Sequence, residues 1–437
     1  MNTNSAHQYA SVKPGAKTVW ELKSLMVTGY QNQQKSSRVT STGLLQAFVF
    51  IGLLLSPLKT IACTPQPEMI RTGLGQYQQW AGELQGKKLA VVVNPSSQWG
   101  GCHLLDLLPT QGLNIQAIFT PEHGISGSAD AGAVVQDGRY APLAVPVWSL
   151  YGKHKGPTAE QLAGIDVLLF DLQDVGVRYY TYLSSLHYVL RAAASAGVVV
   201  WVLDRPNPNG SYLDGPTLKP EFRSFVGIYP LPLLHGMTLG ELALMAKGEG
   251  WLDKADTLRL KVIPVAEYRR EMPYALPVKP SPNLPNAKAI ALYPSLGFFE
   301  ATEVSVGRGT AAPFQQLGHP KVKLGDFNFT PLASPGSASN PLGQDQRHYG
   351  QDLRQQQTSG FTLRYLIDAQ QAFRHAGQPL ITSPAFFDKL AGTDALRIQL
   401  TQGLSERQIR QSWQAELQQF RLRRRPYLLY PDYPASP

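Results

Sequence analysis

From Lys87 onward the chain alternates short, continuous apolar runs with stretches of helical periodicity, and this pattern constrains the fold more than any other feature. Lys87–Val93, Ile115–Phe119, Val145–Leu150, Val167–Phe170 and Val198–Leu203 are rich in β-branched residues and read as strands. Between the last two, Leu183, Leu186, Leu190 and Ala194 fall on one helical face, and Gly197 closes the helix. Apolar runs without polar alternation suit strands covered on both faces, so the pattern predicts an α/β fold with a parallel sheet between helices. No GxGxxG follows the first strand, where Asn94-Pro95-Ser96-Ser97 stands instead, and a dinucleotide site is not expected.

Further along, Thr238 and Glu241 form a capping box that opens a helix. Residues 273–288 hold five prolines and read as a linker or an extended cleft wall, and 331–347 are a second turn-rich stretch. Helices are expected at Thr362–His375 and at Ser405–Phe420, the latter with Ser405 and Gln408 as its box. These signals divide the chain into 63–86 as linker, 87–285 as a parallel-sheet domain and 286–437 as a smaller α+β domain.

Residues 1–62 read as an export address. Leu44–Leu55 is a twelve-residue apolar run preceded by Lys35 and Arg38, too short for a comfortable membrane span. Thr60-Ile61-Ala62-Cys63 is similar to a lipoprotein cleavage site, which makes a lipid on Cys63 the only membrane attachment expected. If Cys63 is not lipidated, it is available for a disulfide with Cys102, the only other cysteine, in an oxidising compartment. The net charge of +9 does not argue for nucleic acid, because +5 of it falls within residues 1–62. The remaining basic run, Arg421 to Arg425, has no aromatic-basic repeat or reading motif beside it, and no nucleic-acid partner is expected.

In open α/β sheets ligands bind beyond the carboxyl ends of the strands. Four strand ends here are polar: Asn94-Pro95-Ser96, Pro121-Glu122-His123-Gly124, the stretch from Asp171 through Asp174 to Arg178 and Tyr179, and Asp204-Arg205-Pro206-Asn207. Together they predict a carboxylate-lined cleft. Asp174 is expected to face it with Arg178 as partner or anion anchor, Asp171 is a structural acceptor or a catalyst, and Asp204-Arg205 is a candidate buried ion pair. His235 precedes a helix and is either a loop residue or a ligand contact. Glu300 and the glycine-rich turn around Arg308 come from the second domain, the turn serving to bring Arg308 to the cleft. Glycoside hydrolysis needs a carboxylic acid to protonate the leaving oxygen and usually a second carboxylate. Glu122 with Asp174 or Glu300 meets that need. A metal hydrolase built on His123, Asp171, Asp174 and Asp204 is the competing enzyme class, weakened by the lack of HExxH or HxH spacing.

Six ordered motifs carry a resemblance: FTPEHG (119–124), FDLQDVGVRYYTYLSSL (170–186), LDRPNP (203–208), DGP through HGMTLGEL (214–242), SPNLP (281–285) and FFEATEVSVGRGTAAPFQ (298–315). With the terminal RRRPYLLY they closely resemble the exo-β-N-acetylmuramidase family across nearly the whole chain from residue 87. The resemblance implies a Rossmann-like N-terminal domain, a smaller C-terminal domain and an active site between them. It also implies release of N-acetylmuramic acid from the non-reducing ends of peptidoglycan fragments such as MurNAc–GlcNAc, without a cofactor. Glu122 matches the acid of the family's S/T-P-E-H-G motif, Asp174 and Arg178 match D-x-Q-D-V-G-x-R, and Asn207 matches R-P-N-P. Catalytic roles are expected for Glu122 and Asp174, and substrate contacts for Asn94, His123, Arg178, Tyr179, Asn207, His235, Glu300 and Arg308. Where many relatives have Asn-Val-Ser-Glu-Gly-Arg-Gly-Thr this chain has Val306 in place of the Glu. The second catalytic group is then Asp174, Glu300, Glu303 or the substrate's own 2-acetamido group. A non-catalytic glycan-binding lipoprotein is the rival reading.

Overall fold

Every apolar run predicted as a strand is one. In the computed structural model, which describes residues 63–66, 68–130, 132–133, 135–152 and 154–432, the strands of the first half run in chain order as follows. β1 (Lys88–Val93) leads into a short hairpin of β2 (Gln98–Trp99) and β3 (Cys102–His103), followed by β4 (Asn114–Thr120) and β5 (Gly138–Tyr140). Then come β6 (Val145–Ser149), β7 (Val167–Asp171), β8 (Val199–Leu203) and β9 (Leu260–Ile263). The main sheet has the order β5-β6-β4-β1-β7-β8-β9 and is parallel except for the antiparallel edge strand β5. β5 and β9 escape the apolar pattern because both are edges: β5 is largely exposed and β9 half-buried. The export signal expected in residues 1–62 lies outside the described residues. Among the described residues no helix is long and apolar enough to cross a membrane.

Alternation along the inner strands explains their unbroken apolar sequence. Ala90 and Val92 of β1, with Leu168 and Phe170 of β7, face one core, whereas Leu89, Val91 and Val93, with Val167 and Leu169, face another. The first core takes in α3 (Tyr182–Ala196) and α4 (Leu239–Gly248), whose Thr238–Glu241 capping box is formed on both sides. The second is closed by α2 (Leu104–Thr110) and, against expectation, by the stretch assigned to a linker. Residues 74–84 form helical turns, including α1 (Tyr77–Trp80), and Leu74, Trp80 and Leu84 are buried. The short Gly-broken turns of that stretch lack a helical period, but their apolar residues cover the sheet. Trp80 meets Trp201 edge to face at 6.1 Å.

The second half holds α5 (Ala287–Leu296), the three-stranded sheet of β10 (Gln316–His319), β11 (Phe327–Phe329) and β12 (His348–Asp352), and five further helices. These are α6 (Arg364–His375), α7 (Pro384–Ala391), α8 (Ala395–Gln402), α9 (Glu406–Gln411) and α10 (Gln414–Arg424). The single helix expected over Ser405–Phe420 is broken between α9 and α10, where Trp413 turns into the core. One hydrophobic cluster runs from Ala90 of β1 to Phe420 of α10, so the two halves share a core.

Both ends of the described chain are tied into the fold. Cys63 is bonded to Cys102, with Cα atoms 5.7 Å apart. A sulfur so engaged has no valence for a lipid thioether, and the two fates of Cys63 exclude each other. Two arginines of the basic run that ends α10 have structural partners: Arg424 is buried and donates to the carbonyls of His235 and Gly236 and to Asp432, while Arg423 pairs with Glu249.

Candidate active site

A cavity of about 720 Å³ lies between the loops that follow β4, β6 and β7 and a wall supplied by the second half. The TPEHG segment follows β4 directly, which delivers Glu122 and His123 to the cavity. His123 adopts a left-handed backbone, φ 73°, unusual for a side chain with a Cβ. Its ring Nδ1 lies 2.7 Å from the Ala129 carbonyl, which in turn folds the following loop back. That loop presents the Gly132 N–H to Glu122 Oε1 at 2.9 Å. Thr181, before α3, donates its hydroxyl to Glu122 Oε2, also at 2.9 Å. Glu122 is therefore half-buried, held by one donor on each oxygen, and turned into the cavity. Beside it stands Tyr151, whose phenol is pushed up to about 12 by burial and by the charge of Glu122; it remains a hydrogen-bond donor at any physiological pH.

Aromatic rings form the floor. Tyr179 donates to the carbonyls of Tyr293 and Pro294, while Tyr180 and Tyr182 both donate to the carbonyl of Pro280. These bonds fasten the proline-rich stretch as a cleft wall and not as a linker, with Ser281, Asn283 and Leu284 on the cavity. Opposite, the turn Gly307-Arg308-Gly309 brings Arg308 in, where it pairs with Glu300 and lies 5.0 Å from the Phe314 ring centroid. The second turn-rich stretch crosses the cavity as a strap. Asn283 donates to the Ser337 carbonyl, and Asp130 accepts the Ser339 N–H, each at 2.7 Å.

Of the residues expected here, Glu122, His123, Tyr179, Glu300 and Arg308 line the cavity, whereas Asn94, Asp174, Arg178, Asn207 and His235 do not. For Asn94 the cause lies where the strand order switches direction, between the parallel neighbours β1 and β7: the polar strand ends there bond to one another. Asn94 accepts from Ser96 and donates to Tyr182, Ser97 donates to the Asp171 carbonyl, and Asp171 forms a buried ion pair with Arg205 at 2.5 Å. Arg205 thus pairs with Asp171, and Asp204 instead accepts from Thr238, Gly240 and Tyr430. Arg178 is no anion anchor; its guanidinium donates to the carbonyls of Pro216, Leu231 and Leu390. Asn207 packs against Gly176, at φ 75°, where a Cβ would come within 1.9 Å of its side-chain oxygen. His235 accepts from the Met237 N–H, and burial and nearby arginines push its pKa down to about 3. The metal-hydrolase set does not assemble: among the described residues no group of three or more His, Cys, Asp or Glu is placed to hold an ion. Glu303 is largely exposed and off the cavity.

Asp174, expected to face the cleft, is buried beneath it, accepting from the Gly176 N–H at 2.6 Å. Burial pushes its pKa up to about 7, so the native state holds a proton that the unfolded chain gives up near its ordinary value of 3.8. The stability this contributes is complete below about pH 4 and is lost as pH rises toward about 7. Buried neutral histidines such as His235 slope the other way, so the comparison must be with Asp174→Asn. The stability of wild type relative to that variant should fall across pH 4–7 in urea unfolding; a difference that stays flat would contradict this titration.

Tyr151, Asp130, Thr181, Asn283 and Tyr293 line the cavity without having been singled out from the sequence. Thr181 and Asn283 stand inside the ordered motifs at 170–186 and 281–285, whereas Tyr151, Asp130 and Tyr293 belong to none of them.

The chain matches the family profile described as "Exo-beta-N-acetylmuramidase NamZ, N-terminal" over residues 89–288 and its C-terminal counterpart over 291–430. It is 35% identical to the peptidoglycan beta-N-acetylmuramidase NamZ of Bacillus subtilis (strain 168), over 89% of this chain and 98% of that protein. A crystal structure of a DUF1343 family protein from Bacteroides fragilis NCTC 9343 superposes with a TM-score of 0.76 at 40% identity, covering 84% of this chain and all of that one. A second from the same organism gives 0.71 at 26%, with the same coverage.

Proposed function

Because the chain belongs to the NamZ exo-β-N-acetylmuramidase family, we propose that it hydrolyses terminal, non-reducing N-acetylmuramic acid from peptidoglycan fragments, with Glu122 as general acid. The observation that carries this reading is the state of the cavity carboxylates. Glu300 is neutralised by Arg308 and Asp130 is tied to the strap by the Ser339 N–H, whereas Glu122 is unpaired by any cation among the described residues and is oriented into the cavity by a neutral donor on each oxygen. It gives its proton to the glycosidic oxygen as the bond to the muramyl anomeric carbon breaks, and water supplies the hydroxyl at that carbon, its remaining proton restoring the Glu122 carboxyl by the end of the cycle. Tyr151 and the tyrosine floor supply ring faces and a fixed donor around the sugar.

Export to the periplasm or cell envelope belongs to the same reading. It is supported by the apolar run at Leu44–Leu55 and by the Cys63–Cys102 bond, since such bonds persist in oxidising compartments. The disulfide favours a protein released after signal cleavage over one anchored by a lipid. The test is release of free N-acetylmuramic acid from a MurNAc–GlcNAc disaccharide by the purified mature chain. Binding of the disaccharide without release would instead identify a glycan-binding protein.

A further inference from the structure

The cavity wall on the Tyr151 side continues past the cavity. Tyr151 and Phe225 line it, their ring centroids 5.8 Å apart and nearly edge to face. Phe225 in turn stacks on Tyr188, outside the cavity, at 6.2 Å and an interplanar angle of 23°. All three rings are half-buried. Above the outer two stands an exposed cation: Lys155 Nζ is 4.8 Å from the Phe225 centroid and 6.0 Å from that of Tyr188. Arg191, the other cation on the Tyr188 ring among the described residues, is neutralised by Asp253 at 2.7 Å. Lys155 makes no ion pair among the described residues.

This arrangement is held by three separate segments. Ser184 of α3 donates to the Phe225 carbonyl at 2.7 Å, which fixes the turn that carries the middle ring. The loop after β6 lies directly on α3 at Gly156, where a Cβ would come 2.8 Å from the Tyr188 carbonyl oxygen. Glycine there permits the close approach that sets Lys155 over the rings.

We propose that this rim is a reducing-side subsite for the next carboxylate-bearing sugar of the glycan. The inference rests on the muramidase reading. Beyond the scissile bond a peptidoglycan strand continues with an N-acetylglucosamine and then another muramyl residue. Stacked ring faces suit the apolar face of a pyranose, and an unneutralised ammonium beside them suits a carboxylate. On that second muramyl residue the carboxylate is the lactyl group itself or, where a stem peptide is attached, those of the peptide. The rim is continuous with the cavity through Tyr151, so one strand can occupy both.

The test compares initial rates on a MurNAc–GlcNAc disaccharide, on the peptide-free tetrasaccharide and on a tetrasaccharide whose second muramyl residue carries a stem peptide. Lys155 lies outside the cavity and is exposed, so Lys155→Glu should fold normally. For that variant, kcat/KM on the tetrasaccharides should fall about tenfold, as expected for reversing one partner of a solvent-accessible charge pair, with Lys155→Arg restoring it. The disaccharide, too short to reach the rim, should change by less than about twofold. A loss already present on the peptide-free tetrasaccharide identifies the lactyl carboxylate, and one seen only with the stem peptide identifies the peptide's. Equal losses on all three substrates, or none on any, would overturn the subsite while leaving the muramidase reading intact. Failure of the wild type to cleave the disaccharide would remove both.

Discussion

Replacing Glu122 by Gln should reduce kcat for muramic acid release by about 10²–10⁴-fold while leaving disaccharide affinity within about tenfold. The change is isosteric. A Gln side chain still has an oxygen to accept the Gly132 N–H or the Thr181 hydroxyl, and the loop that carries His123 is untouched. What it lacks is a proton to give to the leaving oxygen, and that transfer matters in the transition state and hardly at all in the bound ground state. Product release measured beside direct titration of the disaccharide separates the two. Turnover within tenfold of wild type would rule out Glu122 as the acid, and a parallel collapse of binding would mean that its role is to hold the sugar.

The second large effect concerns stability. Arg205→Ala should cost about 3–5 kcal/mol, because it strands the carboxylate of Asp171 in a site from which water is excluded. The two side chains are 2% and 0% exposed and meet at 2.5 Å, at the ends of neighbouring strands in the middle of the main sheet. Much of that cost is the unpaired charge and not the pair itself, so Asp171→Leu combined with Arg205→Met should recover most of it. Urea unfolding of the single and the double variant beside wild type decides the point. A loss below about 1 kcal/mol in the single variant would place the pair in solvent-like surroundings.

The layers of this fold were legible in the sequence wherever a strand had apolar neighbours on both faces. β1, β4, β6, β7 and β8 all announce themselves in this way, and β5 and β9, at the edges, do not. The candidate site was half legible. Glu122, His123, Glu300 and Arg308 stand beside turns that leave their side chains facing the cavity. Asn94, Asp174, Arg178, Asn207 and His235 sit in equally polar motifs, but their partners come from segments far apart in sequence. Arg178, for example, meets a carbonyl 212 residues away at Leu390. A motif records that a polar residue is needed; only the fold shows whether substrate or backbone is its partner. Tyr151 and Asp130 were illegible for the opposite reason, since each is one polar residue in a loop without a pattern.

The Arg178 guanidinium also bears on how this cleft would respond to a ligand. It bonds backbone from both halves of the chain, at Pro216 and Leu231 on one side and Leu390 on the other, above a hydrophobic core that the halves share. Walls joined in this way should not swing apart as independent bodies, and the cavity is expected to keep its width when a ligand fills it. An inhibitor shaped to it would spend little of its affinity on ordering the protein, and rigid sugar mimics should gain more here than flexible ones.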